Sequence, residues 1–346
     1  MRQLQRGFSL IELMIASTIG LIVVGSIGYF YLGTRQAYRT TDNLSRIQES
    51  QRIVLDTLAR EIRLAGYAGC VNLAAKPPTV IANPPPGSPS PYVVNQDTVA
   101  QIFNNATGWT NPTTITRVTA GATDVISIRY ASNTGQPAKL TGNLSTVNAN
   151  IQMSGNPGNF NANDVLIISD CSNTDIFRAT NVSTGGTVTI AHSTAANSSN
   201  NLSKKYGPDA EVLAFHDVTF FIGTNPANNP ALYRFDVGTN GAVAEEIAEN
   251  VENIQLQYGL DTNADGAVDS YATTLTAGAR VVSIRVALVF SGAGLGSASS
   301  VSADKGLGTA TSAQTYSLLG TSYTAPDTRL RKIGTTTVLL RNRAVF

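Results

Sequence analysis

The feature that most constrains the fold is an apolar segment, residues 8–33, in which Glu12 is the only charged side chain. As an α-helix, these 26 residues would extend for about 39 Å, which exceeds the roughly 30 Å apolar thickness of a bilayer. A secretory signal peptide has a shorter apolar region that ends at a small-residue cleavage site. This segment instead continues directly into a charged sequence. The pattern therefore predicts a retained membrane-spanning helix.

The segment that follows, residues 34–69, is predicted to be an amphipathic helix. Its apolar residues recur at spacings close to three and four: Leu44, Ile47, Val54, Leu55, Leu58, Ile62 and Ala65. The helix would run from residue 8 to about residue 65, near 87 Å, and Gly66 and Gly69 would end it. The repeat is short and irregular for a coiled coil, so we expect the apolar stripe to pack on the downstream head.

Residues 70–346 are predicted to form a β-rich head. Only 14% of the chain is charged, against about 25% in typical soluble domains, and much of the head is rich in Thr, Ser, Asn and Gly. Strands are predicted at 125–130, 165–169, 187–191, 211–222, 231–237, 254–260, 280–290 and 335–341. In 280–290 the more apolar face carries Val282, Ile284, Val286, Leu288 and Phe290. The predicted fold is α+β: a long N-terminal helix on a β-rich head with a long insertion at about 72–205.

The beginning of the chain resembles a known export signal. The sequence Gly7-Phe8-Ser9-Leu10-Ile11-Glu12-Leu13-Met14 is similar to the class III signal of type IV prepilins, in which a short basic leader ends in Gly and Glu is the fifth residue of the apolar helix. The resemblance implies that a prepilin peptidase removes residues 1–7 after Gly7 and that Phe8 is then N-methylated. It also implies a cytoplasmic N-terminus, which the equal numbers of flanking arginines leave open.

Glu12 is the predicted assembly residue. A carboxylate inside an apolar environment costs several kcal/mol unless it is paired. The alternative is an interfacial carboxylate that reaches water. The resemblance implies that, in a filament whose core is built from residues 8–33, Glu12 pairs with the Phe8 ammonium of a neighbouring subunit.

Residues 56–70 and 251–261, together with the C-terminal strand, resemble PilW-type minor pilins. The resemblance implies a minor pilin that helps initiate type IV pilus assembly in or near the tip complex and so supports twitching motility and attachment. It implies an inner-membrane protein with a periplasmic head that later joins the surface pilus. The implied partners are other minor pilins, the major pilin, the prepilin peptidase and the inner-membrane assembly machinery. The alternatives are a minor pseudopilin of a type II secretion system and a membrane-anchored periplasmic enzyme or receptor.

Cys70 and Cys171 are the two cysteines of the chain. In the periplasm, which the resemblance implies for the head, such a pair is expected to form a disulfide. The bridge would join the helix exit to the inserted β segment. The alternative is two separate buried thiols.

Residues 261–269 match the first nine positions of a calcium-binding loop. Oxygen donors fall at alternate positions, with Gly266 at the sharp turn; the candidate ligands are Asp261, Asn263, Asp265, the carbonyl of Ala267, and Asp269. Position twelve is Ala272 in place of the usual bidentate Glu, so the predicted Ca²⁺ site is weak. The alternative is a hairpin turn stabilised by Asn and Asp side chains.

No enzyme activity is predicted, because the common hydrolase, metalloprotease and nucleotide-binding motifs are missing from the sequence. His216, in a predicted strand, is interpreted as structural, and His192 lies in a Ser/Thr/Asn-rich loop. The C-terminal cations at 329–332 and 341–343 are interpreted as protection of an edge strand. Direct nucleic-acid binding is not expected at a net charge of +1.

Overall fold

The computed structural model describes residues 9–84, 92–119, 121–132, 137–239, 241–276, 278–292, 314–327 and 329–342. Helix α1 spans Leu10–Leu64, and a 3-10 helix spans Asn104–Ala106. The strands before residue 200 are β1 (Tyr67–Ala68), β2 (Val71–Asn72), β3 (Thr79–Val80), β4 (Ala100–Phe103), β5 (Val125–Ser132), β6 (Ala138–Lys139), β7 (Ile151–Ser154), β8 (Val165–Ser169), β9 (Thr174–Arg178), β10 (Asn181–Val182) and β11 (Thr187–Ala191). The later strands are β12 (Glu211–Thr224), β13 (Pro230–Asp236), β14 (Glu245–Glu249), β15 (Val251–Asp261), β16 (Ser270–Ala272), β17 (Arg280–Ser291), β18 (Thr315–Leu318), β19 (Thr321–Thr324) and β20 (Arg331–Leu339).

Helix α1 has two halves with different surroundings. Its 55 residues extend for about 82 Å, and residues 9–35 are exposed along their whole length. From Ile47 onward one stripe is buried, and Val54, Leu58 and Ile62 have no exposed surface. The predicted long helix packed on a β-rich head is therefore confirmed. Within the described residues, α1 is the one helix long and apolar enough to cross a membrane.

The helix ends at Leu64, one residue before the end predicted at about residue 65, and the rest of the predicted amphipathic segment to residue 69 forms the exit turn. Gly66 (φ +77°) and Gly69 (φ +65°) adopt left-handed conformations that reverse the chain. The Gly66 N–H donates a hydrogen bond to the Arg129 carbonyl on β5 at 2.8 Å, so the exit is fixed to the head. Residues 67–68 then pair with β2 in a small hairpin.

A nine-stranded sheet is organised around the long strand β12. One edge of β12 pairs with β8 at 211–214 and with β13 at 218–224, while its other edge pairs with β6 and β5. Six strands of the predicted insertion, residues 72–205, are therefore hydrogen-bonded into the same sheet as the later part of the head: β3, β4, β5, β6, β8 and β9. This segment also builds a second core, in which Ile151, Met153 and Ile190 from the small β10-β11-β7 sheet pack against Phe177.

The second large sheet has the antiparallel order β16-β15-β17-β20. One face packs with α1 and the nine-stranded sheet in the main core. The other face contributes Ala287 and Val289 to a smaller core that the β18-β19 hairpin covers with Leu318 and Tyr323. The C-terminal part of the head thus encloses one side of the buried half of α1.

The side-chain alternation predicted for β17 is wrong at one end. Ile284, Val286, Leu288 and Phe290 face the main core as predicted, but Val281 is buried there instead of Val282. The register between β15 and β17 shifts at Gly259, where a β-bulge brings Leu260 opposite Val281. One extra residue in a strand reverses which of the following side chains point inward. The bulge therefore places Val281, and not Val282, in the main core.

Candidate functional site

The exposed half of α1 is the first candidate functional surface. Its large apolar side chains are mostly more than half exposed, for example Leu21 at 74% and Phe30 at 76%. Such a continuous apolar surface is unstable in water and marks contact with lipid or with other protein. This half of the helix therefore requires an apolar environment that the head does not provide.

Glu12 lies in the first turn of this surface. Its carboxylate accepts a hydrogen bond from the Ser9 N–H at 3.0 Å, the arrangement of a helix capping box. The predicted processing residues Gly7 and Phe8 lie outside the described residues. Cleavage, methylation and the intersubunit pairing of Glu12 remain predictions.

The disulfide prediction is confirmed, since Cys70 and Cys171 are bridged with their Cα atoms 5.3 Å apart. Cys70 follows the helix exit, and Cys171 lies in the turn between β8 and β9 with a φ of +67°. The bond therefore joins the start of the head to its inserted strands, closing a loop between residues 101 apart in sequence.

Hydrogen bonds to Asp170 hold the turn that carries Cys171. Its carboxylate accepts bonds from the backbone N–H groups of Ser172 at 3.0 Å and Asn173 at 2.8 Å, and it pairs with Lys204. Burial alone would raise the pKa of Asp170, but the hydrogen bonds from Lys204, Asn173 and Ser172 lower it to about 2. The carboxylate is therefore charged at neutral pH.

The predicted calcium loop connects β15 and β16, an antiparallel hairpin, as expected. The Asp261 carboxylate accepts hydrogen bonds from the N–H groups of Ala264 at 2.6 Å and Gly266 at 3.0 Å. These bonds outweigh the effect of burial and lower the pKa of Asp261. Arg280 on β17 lies 3.6 Å from the same carboxylate.

The other candidate ligands are hydrogen-bonded within the loop. Asp269 accepts bonds from the Thr262 N–H at 2.7 Å and its hydroxyl at 2.8 Å, while the Asn263 amide nitrogen points to Asp265 at 3.1 Å. The structure describes the whole loop, and among its described residues no group of three His, Cys, Asp or Glu side chains is arranged to hold a metal ion. The loop closes through its own hydrogen bonds, and calcium binding remains a prediction.

Two charged contacts join the helix and the C-terminal strands to the head. Glu61 on α1 pairs with Arg234 on β13 at 3.1 Å. Arg331 on β20 has a side chain only 1% exposed and pairs with Glu252 at 2.6 Å and with Asp327 at 2.6 Å. β20 is the edge strand of its sheet, as interpreted from the sequence, but Arg331 is internal because its side chain reaches past β17 to Glu252 on β15.

A polar cluster near the end of α1 was not predicted from the sequence. His216 on β12 lies between Ser132 on β5 and Asp236 on β13. Its Nε2 is 2.7 Å from the Ser132 Oγ, and its Nδ1 is 2.6 Å from the Asp236 carboxylate. No sequence motif connects the three residues, which lie 84 and 20 positions apart. Only the strand pairing brings them together.

Comparison with known protein families gives two matches. Residues 2–28 match the prokaryotic N-terminal methylation motif, and residues 219–342 match type IV pilus-assembly protein W. No curated protein and no solved structure matches the chain. The second match includes strands β13–β20 and the last six residues of β12, so it covers much of the head that packs on α1, while β4 and β5 of the same core lie outside it.

Both ends of the chain thus point to the same class of protein. The N-terminal motif precedes an exposed apolar helix, and the C-terminal region forms the β-rich surface on which that helix packs. With the N-terminal methylation motif at one end and the PilW region at the other, the chain matches a PilW-like prepilin, and the two matches support a pilin-like role in type IV pilus assembly.

Proposed function

We propose that this protein is a minor pilin that helps to initiate type IV pilus assembly and occupies a position in or near the pilus tip. The observation that carries the proposal is the exposed apolar half of α1, in which Glu12 is the only acid. This surface suits both a lipid bilayer before assembly and a packed helical filament core afterwards. In this role the protein contacts other minor pilins, the major pilin and the inner-membrane machinery.

The head supports a tip position over a role as the repeating subunit. It comprises residues 70–346, with a second core and a small additional sheet beyond the strands that contact α1. A head of this size would be difficult to repeat along a densely packed filament. At the tip, by contrast, it meets fewer neighbours and is available for attachment.

The rival function is a minor pseudopilin of a type II secretion system. Deletion of the gene separates the two functions, because loss of a pilus component removes surface pili and twitching while protein secretion continues. Lost secretion with intact pili and twitching would favour the pseudopilin and contradict the proposal.

Glu12→Ala tests the role of the helix in assembly. We expect the variant to be made and inserted in the membrane but to lose incorporation into pili, because a neighbouring ammonium would lack its partner in an apolar core. Glu49→Ala is the matched control, since Glu49 is an exposed acid on the charged half of the same helix. Surface pili from each strain would be sheared and probed for this protein. Equal incorporation of Glu12→Ala and the control would contradict the predicted pairing.

A further inference from the structure

His216 is held in a defined orientation by the strands on both sides of it. It lies opposite Tyr130 on β5, and the two rings stack with centroids 4.9 Å apart. Ser132 and Asp236 are its diagonal neighbours on the same face of the sheet. Their hydrogen bonds to the two ring nitrogens, at 2.7 Å and 2.6 Å, leave the imidazole little rotational freedom.

Asp236 is fixed and ionised. One of its carboxylate oxygens accepts hydrogen bonds from the N–H groups of Asp217 at 3.1 Å and Gly238 at 3.0 Å, while the other faces His216. Burial alone would raise the pKa of Asp236, but the hydrogen bonds from His216 and the Gly238 N–H, together with the charge of Arg234, lower it. Arg234 is itself paired with Glu61 of α1 at 3.1 Å.

An ionised Asp236 determines which nitrogen of His216 carries the proton. A carboxylate only accepts hydrogen bonds, so Nδ1 must be the donor, and in the neutral imidazole Nε2 then has the free lone pair. The Ser132 hydroxyl therefore donates to Nε2. This is the arrangement in which a histidine removes the proton from an attacking serine.

The serine and the histidine are both partly exposed. Ser132 is half-buried at the end of β5, and the His216 side chain is 20% exposed. His192, the other histidine of the chain, differs in each respect. It is 2% exposed, its Nε2 is hydrogen-bonded to the Ala149 carbonyl at 3.0 Å, and its buried Nδ1 has no hydrogen-bond partner among the described residues.

We propose that Ser132 is an activated nucleophile that is acylated by small carboxylic esters, with His216 as the base and Asp236 as a positioning residue. The Ser132 Oγ attacks the ester carbonyl carbon while its proton moves to Nε2 of His216. The bond from that carbon to the alkoxy oxygen then breaks, and the leaving alkoxide takes the proton from Nε2. The products are acyl-Ser132 and a free alcohol, with His216 neutral again.

The test uses the purified full-length protein in detergent with a fluorophosphonate probe. The Ser132 Oγ would form a bond to phosphorus, fluoride would leave, and the proton would be released through His216. Peptide mapping by mass spectrometry identifies the labelled residue. We expect the adduct at Ser132 in the folded protein, its loss in Ser132→Ala, and its loss after unfolding in urea.

Variants of the histidines distinguish catalysis from simple exposure. His216→Gln should lower the labelling rate about 100-fold, the typical contribution of a general base. Asp236→Asn should also lower the rate, and Asp236→Glu should recover part of it, because only a carboxylate holds the required tautomer. His192→Gln is the matched control and should label at the wild-type rate.

Two results would overturn the proposal. One is a folded wild-type protein that carries no adduct at Ser132 or labels no faster than the urea-unfolded protein. The other is wild-type labelling by His216→Gln. Comparison of folded and unfolded wild-type protein needs no variant, so the proposal stays testable even if a substitution prevents folding.

Discussion

The buried ion pair between Arg129 and Asp217 allows a quantitative test of how the head is stabilised. The Arg129 Nε lies 2.9 Å from the Asp217 carboxylate, and both side chains are only 2% exposed. Tyr92 donates a second hydrogen bond to the same carboxylate oxygen at 2.8 Å, and the Arg129 Nη1 donates to the Thr98 carbonyl at 2.6 Å. Arg129→Met would preserve much of the side-chain volume but leave Asp217 charged, buried and without its cation.

We expect Arg129→Met to lower the free energy of unfolding by about 3–5 kcal/mol, the usual cost of an uncompensated buried charge. The exposed pair of Arg60 and Asp56 is the matched control. The Arg60 Nη2 and the Asp56 carboxylate lie 3.0 Å apart, almost the same distance as in the buried pair. The side chains of Arg60 and Asp56, however, are 75% and 65% exposed. Arg60→Met should therefore cost about 0.5 kcal/mol or less.

Urea unfolding of the full-length protein in detergent measures both values, because urea is uncharged and does not screen ion pairs. The single tryptophan, Trp109, is a suitable fluorescence probe, since it packs against Phe221 in the head with ring centroids 5.3 Å apart. In a second variant, Arg129→Met with Asp217→Leu, much of the lost stability should return. Equal losses for Arg129→Met and Arg60→Met, or a double variant no more stable than Arg129→Met alone, would refute this account.

Three further predictions concern the disulfide, the calcium loop and the helix. Replacing Cys70 and Cys171 with Ser should lower the unfolding free energy by about 2–5 kcal/mol, since a bridge across roughly 100 residues restricts the unfolded chain strongly; unchanged urea unfolding would contradict this. We propose that loop 261–269 binds Ca²⁺, so millimolar Ca²⁺ should raise the melting temperature and Asp265→Ala should abolish that rise; no shift in the wild type would show that the loop is only a turn. Leu58→Ala, fully buried, should cost about 2–5 kcal/mol, whereas Ile53→Ala, 47% exposed, should cost much less; similar costs in urea unfolding would contradict the packing of the helix.

The features that the sequence predicted well are those with local signals. The apolar run at 165–169 and the alternating pattern at 187–191 predict strands with the same limits as β8 and β11. The period of apolar residues predicts α1 and its buried stripe, including Val54 and Leu58. These signals suffice because burial of a helix stripe or a strand face requires a fixed spacing of apolar residues.

The features that could not be predicted depend on which strands pair. The inward position of Val281 follows from a bulge relative to β15, and no pattern within β17 reveals it. The contact of His216 with Ser132 and Asp236 likewise arises from the order β5-β12-β13. The sequence places His216 between Phe215 and Asp217 in a strand, which favours a structural role. Ser132 and Asp236 are distant in sequence, so nothing local indicates that they lie beside it.

Processing at the N-terminus tests the central claim most directly. The match of residues 2–28 to the methylation motif and the exposed apolar helix lead us to expect cleavage after Gly7 and methylation of Phe8. The measurement is mass analysis of the N-terminal peptide of the membrane protein, from cells with and without prepilin peptidase. We predict a methylated Phe8 terminus when the peptidase is present and an intact Met1 leader when it is absent. An intact, unmethylated Met1 in both would contradict the assignment as a prepilin.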